Sequence, residues 1–242
     1  MTWPVFITTG SPDGQDSIRG LVAAAVITFW LRHREASQII VLDAGADVRL
    51  WTTLRTWGYG AHPALDIVRL PPDDSQRRRH IESQRYARDL GAPYYVATDD
   101  DIMPRPEFSV AMAVALAERD PHYAMVTALL SSCTLPHTIE DAPSSMESAP
   151  VAEGGAGGGL RVWRTAAAID YPPPDPSAPR AYDRVLATAI RAAGHQVGYY
   201  TSVAPRSLRV AHFPGGAYST VWPDLAVPAA FPRDTHAESG CD

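Results

Sequence analysis

Hydrophobic positions in the first 130 residues fall into short unbroken runs separated by longer stretches of helical period. The runs "WPVFITT" (3–9), "QIIVLDA" (38–44), "LDIVRL" (65–70), "PYYVATD" (93–99) and "HYAMVTALL" (122–130) are rich in β-branched and aromatic residues and predict strands. The intervening stretches near 16–34, 47–57, 74–90 and 106–119 predict helices. Short apolar strands alternating with helices imply a mostly parallel sheet covered on both faces. Ligands of such sheets bind beyond the carboxyl ends of the strands. Thr8-Thr9-Gly10, Asp43 and Asp99–Asp101 all fall at those ends.

The alternation then breaks. Residues 131–157 are polar, contain proline and glycine, and lack periodicity, which predicts a long loop acting as a lid or left disordered. A strand resumes in "GGLRVWR" (158–164), followed by the proline-rich turn "DYPPPDPSAP" (170–179). A helix from about Tyr182 to Ala193 is stopped by Gly194. Two short strands, "QVGYYTS" and "LRVAHF", precede a tail from 232 to 242. No internal repeat is visible. The organisation implied is one compact domain with halves at 1–130 and 131–242.

Composition narrows the chemistry. At 242 residues and 45% hydrophobic, the chain can bury a substantial core. All 21 basic residues are arginine, so a phosphate-binding cation must be arginine, histidine or a metal. The net charge of −6 provides no overall basic footprint for nucleic acid, and the run Arg77-Arg78-Arg79-His80 reads first as a solvated helix face. Cys133 and Cys241 lack metal or CxxC spacing and predict free thiols in a reducing compartment. With no secretory pattern at the start, the expected location is cytoplasmic. The longest apolar run, "LVAAAVITFWL" (21–31), is too short to span a bilayer and predicts a buried helix.

The sharpest feature is "APYYVATDDDIMPRPEF" (92–108), an apolar strand ending on three carboxylates. In extended backbone, Asp99 and Asp101 share a face and Asp100 turns away. Two carboxylates on one face repel unless protonated, paired or bound to a cation, and oxygen donors suit Mg2+ or Mn2+. In a chain without lysine, a metal is the expected counter-charge. The plainer alternatives are caps for the helix after Pro106, or an exposed acidic turn.

In this context "TDDDIMP" resembles the DxD motif of the GT-A glycosyltransferases, and the order of elements over residues 3–213 is similar to theirs. The resemblance implies an α/β, GT-A-like (Rossmann-like) sheet flanked by helices, with a nucleotide-sugar-binding half and a C-terminal acceptor-binding half. It further implies that Thr8, Thr9 and Gly10 line the base and ribose pocket and that Asp43 contacts the base. Arg85 and Arg88 would lie near the nucleotide. Asp99 and Asp100 would meet the cofactor, with Asp99, Asp101 and a late His212 holding Mn2+ or Mg2+. Asp183, in "AYDRVLATAIRAAGHQVGYYTS", stands where inverting members carry the base, although a Tyr182-Asp183 pair replaces their Glu-Asp.

The implied reaction moves a sugar from a nucleoside-diphosphate sugar, with uridine favoured, to an acceptor hydroxyl. The acceptor stays open among saccharide, lipid-linked sugar, metabolite, protein and modified DNA base, and inversion and retention are both open. Plainer readings stand beside these. Asp43 can end a strand, Asp183 can serve a helix start, His212 can be an ordinary core or surface side chain, and "EGGAGGG" (153–159) reads as a hinge. Rival classes are a non-catalytic nucleotide- or sugar-binding module and a sugar-nucleotide pyrophosphorylase-like nucleotidyltransferase. The latter wants a lysine that the chain lacks. A phosphatase-type aspartate wants Thr or Val where Met103 stands.

Overall fold

The computed structural model describes residues 1–10, 17–46, 48–71, 76–104, 108–127, 129–132, 148–150, 159–173, 182–200 and 209–212, with backbone alone at 17–18, 76, 129–132, 148–150, 199–200 and 209–212. The first half runs β1 (Trp3–Thr9), α1 (Ser17–Arg32), β2 (Ala36–Asp43), α2 (Val48–Thr56), β3 (Leu65–Arg69), α3 (Gln76–Asp89), β4 (Tyr94–Asp99), β5 (Ile102–Pro104) and α4 (Val110–Arg119). It continues through β6 (Tyr123–Thr127), β7 (Leu129–Ser132), β8 (Ser148–Pro150), β9 (Leu160–Arg164), α5 (Tyr182–Ala192), β10 (Gln196–Tyr200) and β11 (Arg209–His212).

Eight strands form one sheet in the order β3-β2-β1-β4-β9-β6-β10-β8. Neighbours are parallel except where β9 runs against β4 and β6, and β8 against β10. The α/β sheet expected from the alternation is therefore present, and residues 160–164 of the second half sit between strands of the first.

Both sheet faces are buried, so the strands read as continuous apolar runs. Val5 and Ile7 join α1 and α4 in one core cluster, while Phe6, Tyr95 and Trp163 join α5 in the other. From Val22 to Trp30 every residue of α1 is buried, as befits a helix apolar on all sides. Among the described residues no helix is long and apolar enough to cross a membrane.

Two expectations are corrected. The run 122–130 is two strands, β6 in the large sheet and β7 in a three-stranded sheet ordered β5-β11-β7. An unbroken apolar run carries no mark of a change of sheet. Residues 131–157 are not wholly loop, because 131–132 end β7 and 148–150 form β8 on the sheet edge. Cys133, Cys241 and the remainder of that stretch lie outside the described residues. At the end of α5, Gly194 adopts φ 80°, which lets the His195 N–H close onto Ile190 O at 3.0 Å and stops the helix as expected.

Candidate functional site

Strands β1 and β4 are parallel neighbours that align Thr8 with Asp99. The Thr8 hydroxyl donates to Asp99 Oδ1 at 2.8 Å, and the Thr9 hydroxyl donates to Asp100 Oδ2 at 2.7 Å. Successive side chains leave a strand on opposite faces, so these two pairs point to opposite sides of the sheet. Asp99 stands on the side of Phe6, Tyr95 and α5, whereas Asp100 lies under α1.

Asp100 has only 1% of its surface exposed. Arg19 of α1 approaches it from two directions, with Nη2 2.8 Å from Oδ1 and Nε 3.4 Å from Oδ2. Burial pushes the Asp100 carboxyl up to about 6, and the Arg19 guanidinium beside it pulls the other way. The counter-charge expected from a metal is thus supplied to this aspartate by arginine. The same contacts hold Asp100 on the face opposite Asp99. Nor are the aspartates helix caps. The N-cap of α4 is Ser109, which accepts from the Met112 N–H, while the Glu35 carboxylate takes the Val110 N–H at 2.6 Å.

On the Asp99 side, β9 enters antiparallel and begins at the tip. The Asp99 N–H donates to Gly159 O at 2.9 Å. A Cβ on Gly159 would stand 2.2 Å from Ile102 Cγ1 and 3.3 Å from Asp99 Oδ2, so only glycine lets the backbone come this close. Two residues along, Arg161 is 5% exposed, and its Nη2 donates to Asp183 Oδ1 at 2.6 Å. Asp183 lies in the first turn of α5, where the helix dipole favours an anion, and its side chain stays 41% exposed. Burial raises the Asp99 carboxyl, Arg161 lowers it, and the charges of Asp101 and Asp183 raise it again. Asp99, Asp183 and Arg161 therefore share one electrostatic site.

The other expected residues divide. Gly10 follows β1 with Arg79 Nη2 3.4 Å from the point its Cβ would occupy, so Arg79 of α3 reaches the strand tips. Asp43 is buried there, its Oδ1 accepting from the Gly45 and Ala46 N–H groups and its Oδ2 paired with Arg69. Arg85 and Arg88 are not brought to the tip. The neighbouring Gln84 donates to Ala167 O at 2.6 Å, and Thr165 N–H donates to Pro93 O, at the opposite end of β4 from Asp99. Arg85 instead pairs with Glu82 and Asp89 along the helix.

His212 is aligned with Ile102, the residue after Asp101, by antiparallel pairing of β11 with β5. Its side chain lies outside the described residues. Among the described residues no three His, Cys, Asp or Glu side chains form a metal-sized cluster. The carboxylates of Asp99 and Asp101 still suit a hard cation. Burial, and then the charge of Asp101, raise the Asp99 carboxyl, and a divalent ion would offset that cost.

The run Arg77–His80 is not a solvated face. Of the four only Arg78 is exposed, Arg77 Nε donates to Tyr171 O at 2.7 Å, and His80 is buried between aromatic rings. His80 stacks on Tyr182 at 5.7 Å and 16°, and on Tyr171 at 6.1 Å and 3°. Burial, and then Arg161 and Arg79, hold its pKa well below 6.5. The sign follows from linkage. The unfolded chain takes up the proton first, so stability is full above 6.5 and falls as pH drops. Melting curves of wild type and His80→Phe between about pH 7 and pH 5 should show a flatter profile for the variant. Equal slopes would refute the role.

No family model matches the chain, and no curated protein matches it in sequence. Solved structures match it in fold. S. aureus TarS 1-349 superposes with a TM-score of 0.53 at 14% identity, over 94% of this chain and 65% of that one. GalNAc-T7 with UDP, GalNAc and Mn2+ gives 0.53 at 11% identity, over 100% and 55%. The fold is GT-A. A third GT-A structure, the mannosyltransferase PcManGT from Pyrobaculum calidifontis in complex with GDP-Man and Mn2+, gives 0.50 at 15% identity, over 98% and 69%. This chain thus spans about 65% of the length of the TarS structure it resembles.

Arg19, Arg79, Gly159 and Arg161 are the tip residues that sequence reasoning missed. Arg161 left one signal, a charge set between Leu160 and Val162 inside the strand. The others are defined by partners distant in sequence.

Proposed function

We propose that this protein is a glycosyltransferase moving a sugar from a nucleoside-diphosphate sugar to an acceptor hydroxyl, aided by a divalent cation. One observation carries the reading: on a GT-A sheet, a Thr8-held Asp99 and the half-exposed Asp183 lie on the same side of the sheet, and buried Arg161, in register two residues from Asp99, bonds Asp183. The complexes of GalNAc-T7 with UDP and Mn2+ and of PcManGT with GDP-Man and Mn2+ support the ligand class.

In this reading, Gly10, the Asp43 turn and Arg79 line the nucleotide side, and Thr8 fixes the orientation of Asp99. Asp99 and Asp101, with His212 as a third candidate, hold Mn2+ or Mg2+. When bound, the ion supplies positive charge where the leaving diphosphate gathers negative charge. Asp183 Oδ1 is taken by Arg161, so Oδ2 accepts the proton of the acceptor hydroxyl. The freed oxygen bonds to the anomeric carbon as the carbon–phosphate-oxygen bond breaks. The electron pair leaves with the diphosphate, and the configuration inverts.

The test is titration calorimetry of UDP and GDP with Mn2+ and then with EDTA, on wild type and Asp99→Asn. Binding should weaken at least tenfold (about 1.4 kcal/mol) in EDTA and comparably in the variant. Equal affinity with and without the ion removes the metal. Failure of every nucleoside diphosphate and nucleotide sugar to raise the melting temperature in the presence of Mn2+ removes the function.

A further inference from the structure

We infer that Arg161 is a positioning residue that holds the proposed base Asp183 at a fixed place relative to Asp99, a role that rests on the glycosyltransferase reading. Three observations carry it. First, the guanidinium is fixed by its strand. Arg161 lies in β9 between Ala97 of β4 and Thr127 of β6, with only 6% of its side chain exposed. A side chain so enclosed has few rotamers left, so its hydrogen-bond donors point in set directions.

Second, Arg161 engages one oxygen of Asp183 and leaves the other. Its Nη2 meets Oδ1 at 2.6 Å while the aspartate side chain remains 41% exposed. A charge-assisted bond from a rigid donor fixes the carboxylate plane, which leaves the partner oxygen to take the acceptor's proton. Without that bond, Asp183 on the open first turn of α5 is free to rotate into solvent.

Third, Arg161 ties the first turn of α5 to the strand that carries Asp99, because it pairs in register with Ala97, two residues before Asp99, and bonds Asp183. The interior strand also fixes their separation, because β9 binds β4 on one side and carries Arg161 towards α5 on the other. In strand register Arg161 shares a face with Trp163, whose ring is fully buried, so the arginine rests on a packed floor.

The experiment is a double-mutant cycle on turnover. Release of nucleoside diphosphate to water is measured for wild type, Arg161→Gln, Asp183→Asn and the double variant. The donor is whichever of UDP-glucose, UDP-GlcNAc and GDP-mannose raises the melting temperature most. Displacing the base by an ångström costs up to about 100-fold, so Arg161→Gln should lower kcat by about 10- to 100-fold. Its KM should stay within about threefold of wild type.

In the Asp183→Asn background the same substitution should change kcat by less than about threefold, because nothing remains to position. Arg161→Lys, which keeps the charge without the fork, should recover part of the loss. Additive losses, or a loss carried by KM alone, overturn the positioning role while leaving the glycosyltransferase reading intact. A wild type that releases no diphosphate from a donor it binds overturns both.

Discussion

Arg19→Ala should lower unfolding stability by about 2–3 kcal/mol, and adding Asp100→Asn should recover most of that loss. The arginine is the cation that meets a carboxylate 2% exposed. Among the described residues, removing it leaves the buried anion with the Thr9 hydroxyl alone. A fully buried pair costs about 3–5 kcal/mol when broken in this way. The Arg19 side chain is 32% exposed, so water reaches part of the gap and the smaller figure applies. The amide of Asp100→Asn needs no counter-charge, which is why the double variant is the informative one. Urea midpoints for the four proteins measure the cycle. If Arg19→Ala unfolds with the wild type, or the double variant falls further than either single, the pair is not what ties α1 to the strand tip.

Trp163→Ala should cost about 3–5 kcal/mol, the largest effect of any single truncation proposed here. The ring has no exposed surface, stacks on Tyr95 at 6.4 Å and 9°, and meets His80 and Tyr171 at a tilt. Its indole Nε1–H is buried without a hydrogen-bond partner, so the aromatic body does the stabilising. Trp163→Phe should therefore lose less than about half as much, since it keeps an aromatic ring and discards an unpaired donor. Thermal unfolding monitored by near-ultraviolet circular dichroism separates the two. Equal losses would mean that the indole is anchored by something other than packing. Because Arg161 stands on the same face two residues earlier, the alanine variant should also blunt turnover at temperatures where it remains folded.

Much of the scaffold was legible from spacing alone. "WPVFITT" is β1 to the residue, and the apolar run inside α1 is buried as its length required. Period two also put Asp99 and Asp100 on opposite sides of the sheet. What the pattern concealed has physical causes. The buried face of α3 is His80, Ser83, Gln84 and Ala87, which is mostly polar and so left no apolar stripe to read. Strands of three residues, such as β5 and β8, are too short to show alternation. The residue facing Asp100 is Arg19, 81 positions away, and a salt bridge over that distance has no local signature. Arg85 pairs along its own helix because α3 runs antiparallel to β4, which takes its later turns away from the tip. Asp43 is the reverse case. The plain reading, a carboxylate closing a turn, is what its hydrogen bonds display.

The late arrival of β9 bears on how the chain acquires its shape during synthesis. When residue 130 leaves the ribosome, β4 and β6 both exist, but each lacks the neighbour that will lie between them. Their exposed edges wait for residues 160–164, and the amide of Asp99 waits for the carbonyl of Gly159. Folding is thereby delayed until the second half has emerged, and a nascent chain stalled before that point is a sticky, edge-bearing species for chaperones to shield.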